Sequence, residues 1–240
     1  GPGGGGPSDS FDRRAMLANL GSAVVVPAMQ DFAGRADELV IATAAARIAV
    51  GTTSHAASLG AARTAFGETM DAWQVVDVYQ VGPAADAGMA TGAQGLRDEI
   101  YSWPTVNSCR VDQEIVTEDY ADPGFFDTEL VNVYGLDALE YLLHYEGSAN
   151  TCAPQVDIND TGTWAALGAS EVTLRRAEYA EILAVRIAAD GDALLAAWQD
   201  GFLADFSTAG ASGSSFGSAQ DAVNELFAAM FYVELVVKDL

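Results

Sequence analysis

Apolar residues in this chain recur at helical spacing, and no run alternates as a half-buried strand would. From Ser10, where Ser and Asp can cap a helix, the stretch FDRRAMLANLGSAVVVPAMQDFAGRADELVIATAAARIAV holds that spacing without a turn cluster. Pro27 lacks an N–H and clashes with the preceding turn, so it should kink or restart the helix. Gly51-Thr52-Thr53-Ser54 reads as a break and a new cap. A second long helix is predicted over about 54–80, carrying Phe66, Met70, Trp73 and Val76 at three- and four-residue steps, and Gly82-Pro83 ends it. With no hairpin signals in the chain, the expected fold is all-α, built of antiparallel helices.

Farther along, the small, Gly-rich residues 84–95 read as a loop. A short helix or turn over 96–101 leads into Trp103-Pro104. A brief acidic helix is predicted over 111–120, Asp122-Pro123-Gly124 is a strong turn, and a central helix is predicted over about 127–146. Residues 150–162, with Cys152, Pro154 and an Asp/Asn/Thr cluster, are the best linker. Residues 164–198 read as one or two helices, with Leu174, Tyr179, Ile182, Val185 and Leu194 as core positions. STAGASGSSFGSAQD is a flexible loop, and a last helix from about Gln220 carries Val223, Leu226, Phe227, Met230, Phe231 and Val237. No terminator precedes Leu240, so the natural chain is expected to continue. Residues 1–9, GPGGGGPSD, read as a flexible tether, which suits an exported protein whose signal has been removed and which is lipidated on a preceding cysteine.

The 240 residues, half of them hydrophobic, can bury one large core or two smaller ones. No apolar run reaches the roughly 18 residues of a membrane span. The longest, 28–50, is interrupted by Gln30, Asp31, Arg35, Asp37, Glu38 and Arg47. A net charge of −23, from 34 acids against 11 basic residues, excludes nucleic acid and anionic membrane surfaces as partners. Cys109 and Cys152 are too few for a disulfide scaffold and lack zinc-finger spacing. In an exported protein they could pair around the central helix, a constraint worth about 3–4 kcal/mol; equally, they could stand unpaired.

The stretch YGLDALEYLLHYEG, 134–147, concentrates the chemistry. If it is helical, Asp137, Glu140 and His144 fall within roughly 60° of one another, with Leu136, Leu139 and Leu143 on a neighbouring stripe. Two carboxylates and an imidazole on one face can bind a hard or borderline cation, and they can equally be a solvated edge beside a leucine seam. Glu68 and Asp71 are a secondary candidate for the other half of such a site across a bundle. There is no GxSxG, Cys/His or HExxH pattern. His55 reads as a surface residue. Trp73, Trp164 and Trp198 read as core anchors, whereas Trp103, beside Pro104, stands at an element end.

Several segments together resemble the imelysin-like family, in the family's order from about residue 12 onward. They are MLANL with VVVPAMQDFAGRADEL (24–39), DAWQVVDVYQVGPA (71–84), SWP (102–104), GLDALEYLLHYEG (135–147), LRRAEYAEILA (174–184) and LFAAMFYVELVVKDL. The resemblance implies an all-helical fold of two bundle-like halves, placed here at 10–149 and 163–240. It also implies an exported, often lipid-anchored protein of the bacterial periplasm or cell surface, associated with iron uptake. The family's GxHxxE motif falls on Gly135, Asp137 and Glu140, with aspartate where the family has histidine. The function expected is that of an extracytoplasmic binding protein for a metal ion (iron, zinc or calcium) or another small ligand, working with other proteins of an iron-uptake system. Asp137, Glu140 and His144 would be its ligands, with Glu68 or Asp71 as partners. The alternatives are a metal-dependent peptidase, as the family is catalogued, and a carbohydrate-binding bundle. The last would have a groove lined by Trp and Asp, with Arg97, Arg110, Arg175 and Arg176 gathered in it for an anionic glycan.

Overall fold

The structure, a computed structural model, describes residues 10–86, 88 and 90–231. The tether at 1–9, Val237 and the final residues lie outside the described residues. Every regular element among those described is helical.

Asp12 caps α1 (Arg13–Leu20), its carboxylate accepting from the Ala15 N–H at 3.0 Å. The helix does not restart at Pro27. It widens into a π turn, Gly21–Val25, and runs on as α2 (Val26–Ile48). The Val26 N–H reaches back to the Gly21 carbonyl, so the ladder is already offset where proline removes a donor and crowds the turn before it. After a tight turn α3 (His55–Asp77) runs back along α2, with Phe32 and Trp73 in contact at 5.0 Å between ring centroids. It ends three residues before the expected Gln80.

Short elements follow: α4 (Leu96–Ile100), α5 (Ser108–Thr117) and α6 (Phe125–Thr128). The Asn107 side chain caps α5 by accepting from the Arg110 N–H, and Glu118, in the left-handed region at φ 62°, ends it. The predicted central helix over 127–146 is broken. A 3-10 turn at Val131–Val133 and an extended Tyr134 separate α6 from α7 (Gly135–His144). A ladder cannot pass Gly135, whose φ is +85°.

Next come α8 (Asp157–Asp160) and α9 (Thr163–Ala197), the latter kinked at Gly168 (φ 75°). α9 packs along α2 and α7. Where α9 crosses α2, Gly191 lets the Phe32 ring approach to 2.9 Å from where a Cβ would stand. Its inward residues are Tyr179, Leu183, Ala184, Ile187 and Leu194; Val185, expected in the core, is 52 % exposed because it falls off that stripe. A second π turn, Trp198–Phe202, leads into α10 (Leu203–Ser207), which packs on the first π turn. α11 (Ala219–Met230) buries Val223 and Leu226 but leaves Phe227, Met230 and Phe231 more than half exposed.

The buried residues of 10–149 and of 163–230 form one contiguous core. Segment 150–162 is strapped to it. Cys109 and Cys152 are joined, with Cα atoms 4.6 Å apart. The Thr151 N–H donates to Asp112 at 2.7 Å, and the Asn150 and Asn159 amides exchange hydrogen bonds at 2.8 and 3.1 Å. The bridge spans 43 positions that include α6 and α7. Reduction, or Cys109→Ala with Cys152→Ala, should lower unfolding stability by about 3–4 kcal/mol through restored freedom of the unfolded chain. Urea unfolding with and without reductant checks it, with helicity retained in both.

Candidate functional site

The motif residues sit where α7 begins against the end of α4. Position 135 must be glycine for two reasons: its φ of +85°, and an Ile100 carbonyl oxygen 3.0 Å from where a Cβ would stand. That close approach brings Ser102 onto the first turn of α7. The Ser102 hydroxyl donates to Asp137 Oδ2 at 2.9 Å, and the Ala138 N–H donates to Oδ1 at 3.0 Å. Asp137 is buried at 4 % exposure. Burial pushes its carboxyl up to about 6, although the Ser102 and Ala138 hydrogen bonds and the charge of Arg97 favour the ionised form.

The Ser102 hydroxyl also lies 3.0 Å from the Val131 carbonyl, and its single proton can serve only one acceptor. With Asp137 ionised it serves the carboxylate. With Asp137 protonated, the acid can donate to Ser102, and Ser102 to Val131. Beside this pair, burial and then the charges of Asp137 and Glu140 push the Tyr101 phenol up to about 12, so it stays neutral. Arg97 is paired with Asp77 at 3.2 Å and Asp98 at 2.9 Å, and lies over the Tyr101 ring.

The one-face cluster predicted from spacing separates in burial. Leu136, Leu139 and Leu143 line the core as expected, and Asp137 joins them. Glu140 and His144 are exposed, and His144 sets its ring against Phe66 at 5.8 Å. Seven residues of helix carry His144 roughly 10 Å along the axis from Asp137. Glu68 pairs with Arg35 at 3.1 Å, and Asp71 is exposed. Among the described residues no group of three or more His, Cys, Asp or Glu is placed to hold a metal ion. Within the set Asp137, Glu140 and His144, the first is buried and the other two are exposed.

Of the four tryptophans only Trp103 is substantially exposed, at 45 %. The arginines that an anionic glycan would need are engaged separately: Arg97 as above, Arg110 with Glu114 and Glu129, Arg175 with Glu118 and Glu171, Arg176 beside Asp112.

Sequence reasoning missed Tyr101 and Ser102 as partners of Asp137. The SWP segment was visible, but its approach to α7 was not. It also missed Glu114, 1 % exposed, whose carboxyl burial pushes up to about 7 against the charge of Arg110. The only sequence signal was the Arg110–Glu114 spacing of four.

A family model described as Imelysin matches residues 25–236. No curated protein and no solved structure matches the chain.

A carboxyl whose folded pKa is raised stabilises the fold while it is protonated. For Asp137 that contribution is complete below the unfolded value of 3.8 and lost as pH rises through about 6. Asp137→Asn keeps an acceptor for Ser102 and removes the titration. Relative to the variant, the wild type should lose on the order of 3 kcal/mol between pH 4 and 7. Urea unfolding of both across that range measures it; parallel curves would refute the assignment. Gly135→Ala should cost at least about 1 kcal/mol at any pH.

Proposed function

The chain belongs to the imelysin family, and from that membership and the geometry of α7 we propose that it is a non-catalytic binding protein acting outside the cytoplasm. One observation carries the reading. At the position of the motif's histidine stands Asp137, a buried carboxyl already engaged by Ser102 and by its own helix, holding the 102–104 segment against α7. A zinc peptidase needs three protein ligands, an open coordination position and a general base. Here His144 lies at the far end of the helix and Glu140 faces solvent.

The Cys109–Cys152 bridge supports an oxidising compartment. No helix among the described residues is long and apolar enough to cross a membrane. Iron-linked uptake enters as the setting that the family resemblance implies. A net charge of −23 raises the local concentration of cations at such a surface.

A peptide library incubated with the protein should show no turnover that a chelator removes. In calorimetric titration with iron, zinc, copper and calcium, wild type and Asp137→Ala/Glu140→Ala should behave alike. Hydrolysis abolished by chelator and by Glu140→Gln would overturn the reading in favour of a peptidase. Stoichiometric metal lost in the double variant would instead restore a metal site on the motif helix.

A further inference from the structure

Glu114 of α5 is 1 % exposed, and its two carboxyl oxygens meet unlike surroundings. Arg110 Nη2 stands 2.6 Å from Oε1. Oε2 is buried without a hydrogen-bond partner. The same Nη2 donates to Glu129 Oε2 at 2.9 Å, on the residue that closes α6. One nitrogen therefore serves two carboxyl groups from two segments. With both acids ionised, the trio carries one uncompensated negative charge; with Glu114 neutral, Arg110 and Glu129 balance. Of the two acids Glu114 is the one cut off from water, since the Glu129 side chain is 29 % exposed. A buried carboxylate with one bare oxygen is costlier to hold than a neutral carboxyl.

The other charged groups around α5 are committed elsewhere or oppose ionisation. Arg175 of α9 donates to the Ile115 and Val116 carbonyls at 3.1 and 3.0 Å, and pairs with Glu118 and Glu171. Arg176 stands beside Asp112, which also accepts from Tyr141 of α7 at 2.9 Å. Asp119, in the 3-10 turn Asp119–Ala121, adds a like charge. Tyr120 of that turn and Tyr179 of α9 have phenols that burial holds well above their ordinary value, so both stay neutral. The turn Val131–Val133, which also packs on α5, brings no titratable side chain. Burial outweighs Arg110, and Glu129 and Asp119 act in the same sense as burial, so the Glu114 carboxyl is pushed up to about 7.

We propose that Glu114 is a proton-operated clasp: protonated, it leaves Arg110 to Glu129 and keeps residues 118–130 closed on α5, and because opening lets it ionise, rising pH loosens that segment. The segment lies between α5 and the turn that precedes α7, and within it Phe125 sets its ring against Tyr179 at 5.9 Å. A raised folded value gives stability that is complete below the unfolded value of 4.5 and is lost as pH rises through about 7. Opening therefore grows between those two values and levels off above the second. None of the motif residues of α7 takes part, so the clasp stands apart from the binding reading above.

The test is amide hydrogen exchange of the full chain, wild type beside Glu114→Gln, from about pH 4 to 8.5, with carboxyl-carbon NMR to follow Glu114 itself. Glutamine keeps the shape of the neutral side chain and cannot ionise, and comparison at equal pH cancels the intrinsic pH dependence of exchange. The two proteins should exchange alike near pH 4. Exchange of residues 118–130 should then quicken in the wild type relative to the variant, by up to about tenfold per pH unit, and level off above about pH 7. Glu129→Gln, at a side chain that reaches solvent, removes the competing charge. It should lower the NMR midpoint of Glu114, a readout that holds even where Glu114→Gln fails to fold. A Glu114 midpoint in the ordinary carboxylate range, a midpoint unmoved by Glu129→Gln, parallel exchange in wild type and Glu114→Gln, or a quickening shared equally by α2, α3 and α9 would each overturn the proposal.

Discussion

The approach of the Ile100 carbonyl to the backbone of Gly135 is the contact on which the central part of the molecule depends. No side chain fits between them, and the positive φ of Gly135 ends the preceding turn and starts α7 afresh. From that contact follow the seat of Ser102 on Asp137, the burial of Leu136, Leu139 and Leu143 against α3 and α9, and the placing of the C-terminal end of α7 beside a cavity between α2, α3, α7 and α9. A motif glycine is here a packing requirement rather than a ligand position.

Electrostatics give the molecule its second organising constraint. With 34 acids and 11 basic residues, positive charge is scarce, and much of it is used inside the fold. Arg97, Arg175, Arg176 and Arg186 each tie one element to another through carboxylates or backbone carbonyls. Against that background Asp137 and Glu114 are acids whose burial favours the neutral form, whereas Arg63 and Arg176 are among the residues lining one cavity.

Periodicity made the long helices legible, because three- and four-residue apolar steps survive whatever the helices pack against. Phe66, Trp73 and Val76 are buried as their spacing implies. It failed where tertiary contacts override local pattern. The residues from 127 to 146 look helical throughout, yet Tyr134 and Gly135 break them, since α4 demands a left-handed residue there. Val185 is apolar but lies outside the inward stripe of α9, so it faces solvent. Spacing likewise put Asp137, Glu140 and His144 on neighbouring angles of one helix. It carried no information on depth, and depth separates the first from the other two.

By itself the sequence determined an all-α chain, its family, its acidity and the two cysteines available to pair. These depend on local propensity, on order along the chain and on counting charges. Tertiary structure alone decided that Cys109 and Cys152 meet, that Asp137 turns inward to Ser102, and that His55 and Arg176 line one cavity from helices more than a hundred residues apart in sequence. Each of those outcomes depends on the distance between segments remote in the chain. Helix packing sets such distances, and helical periodicity does not encode them.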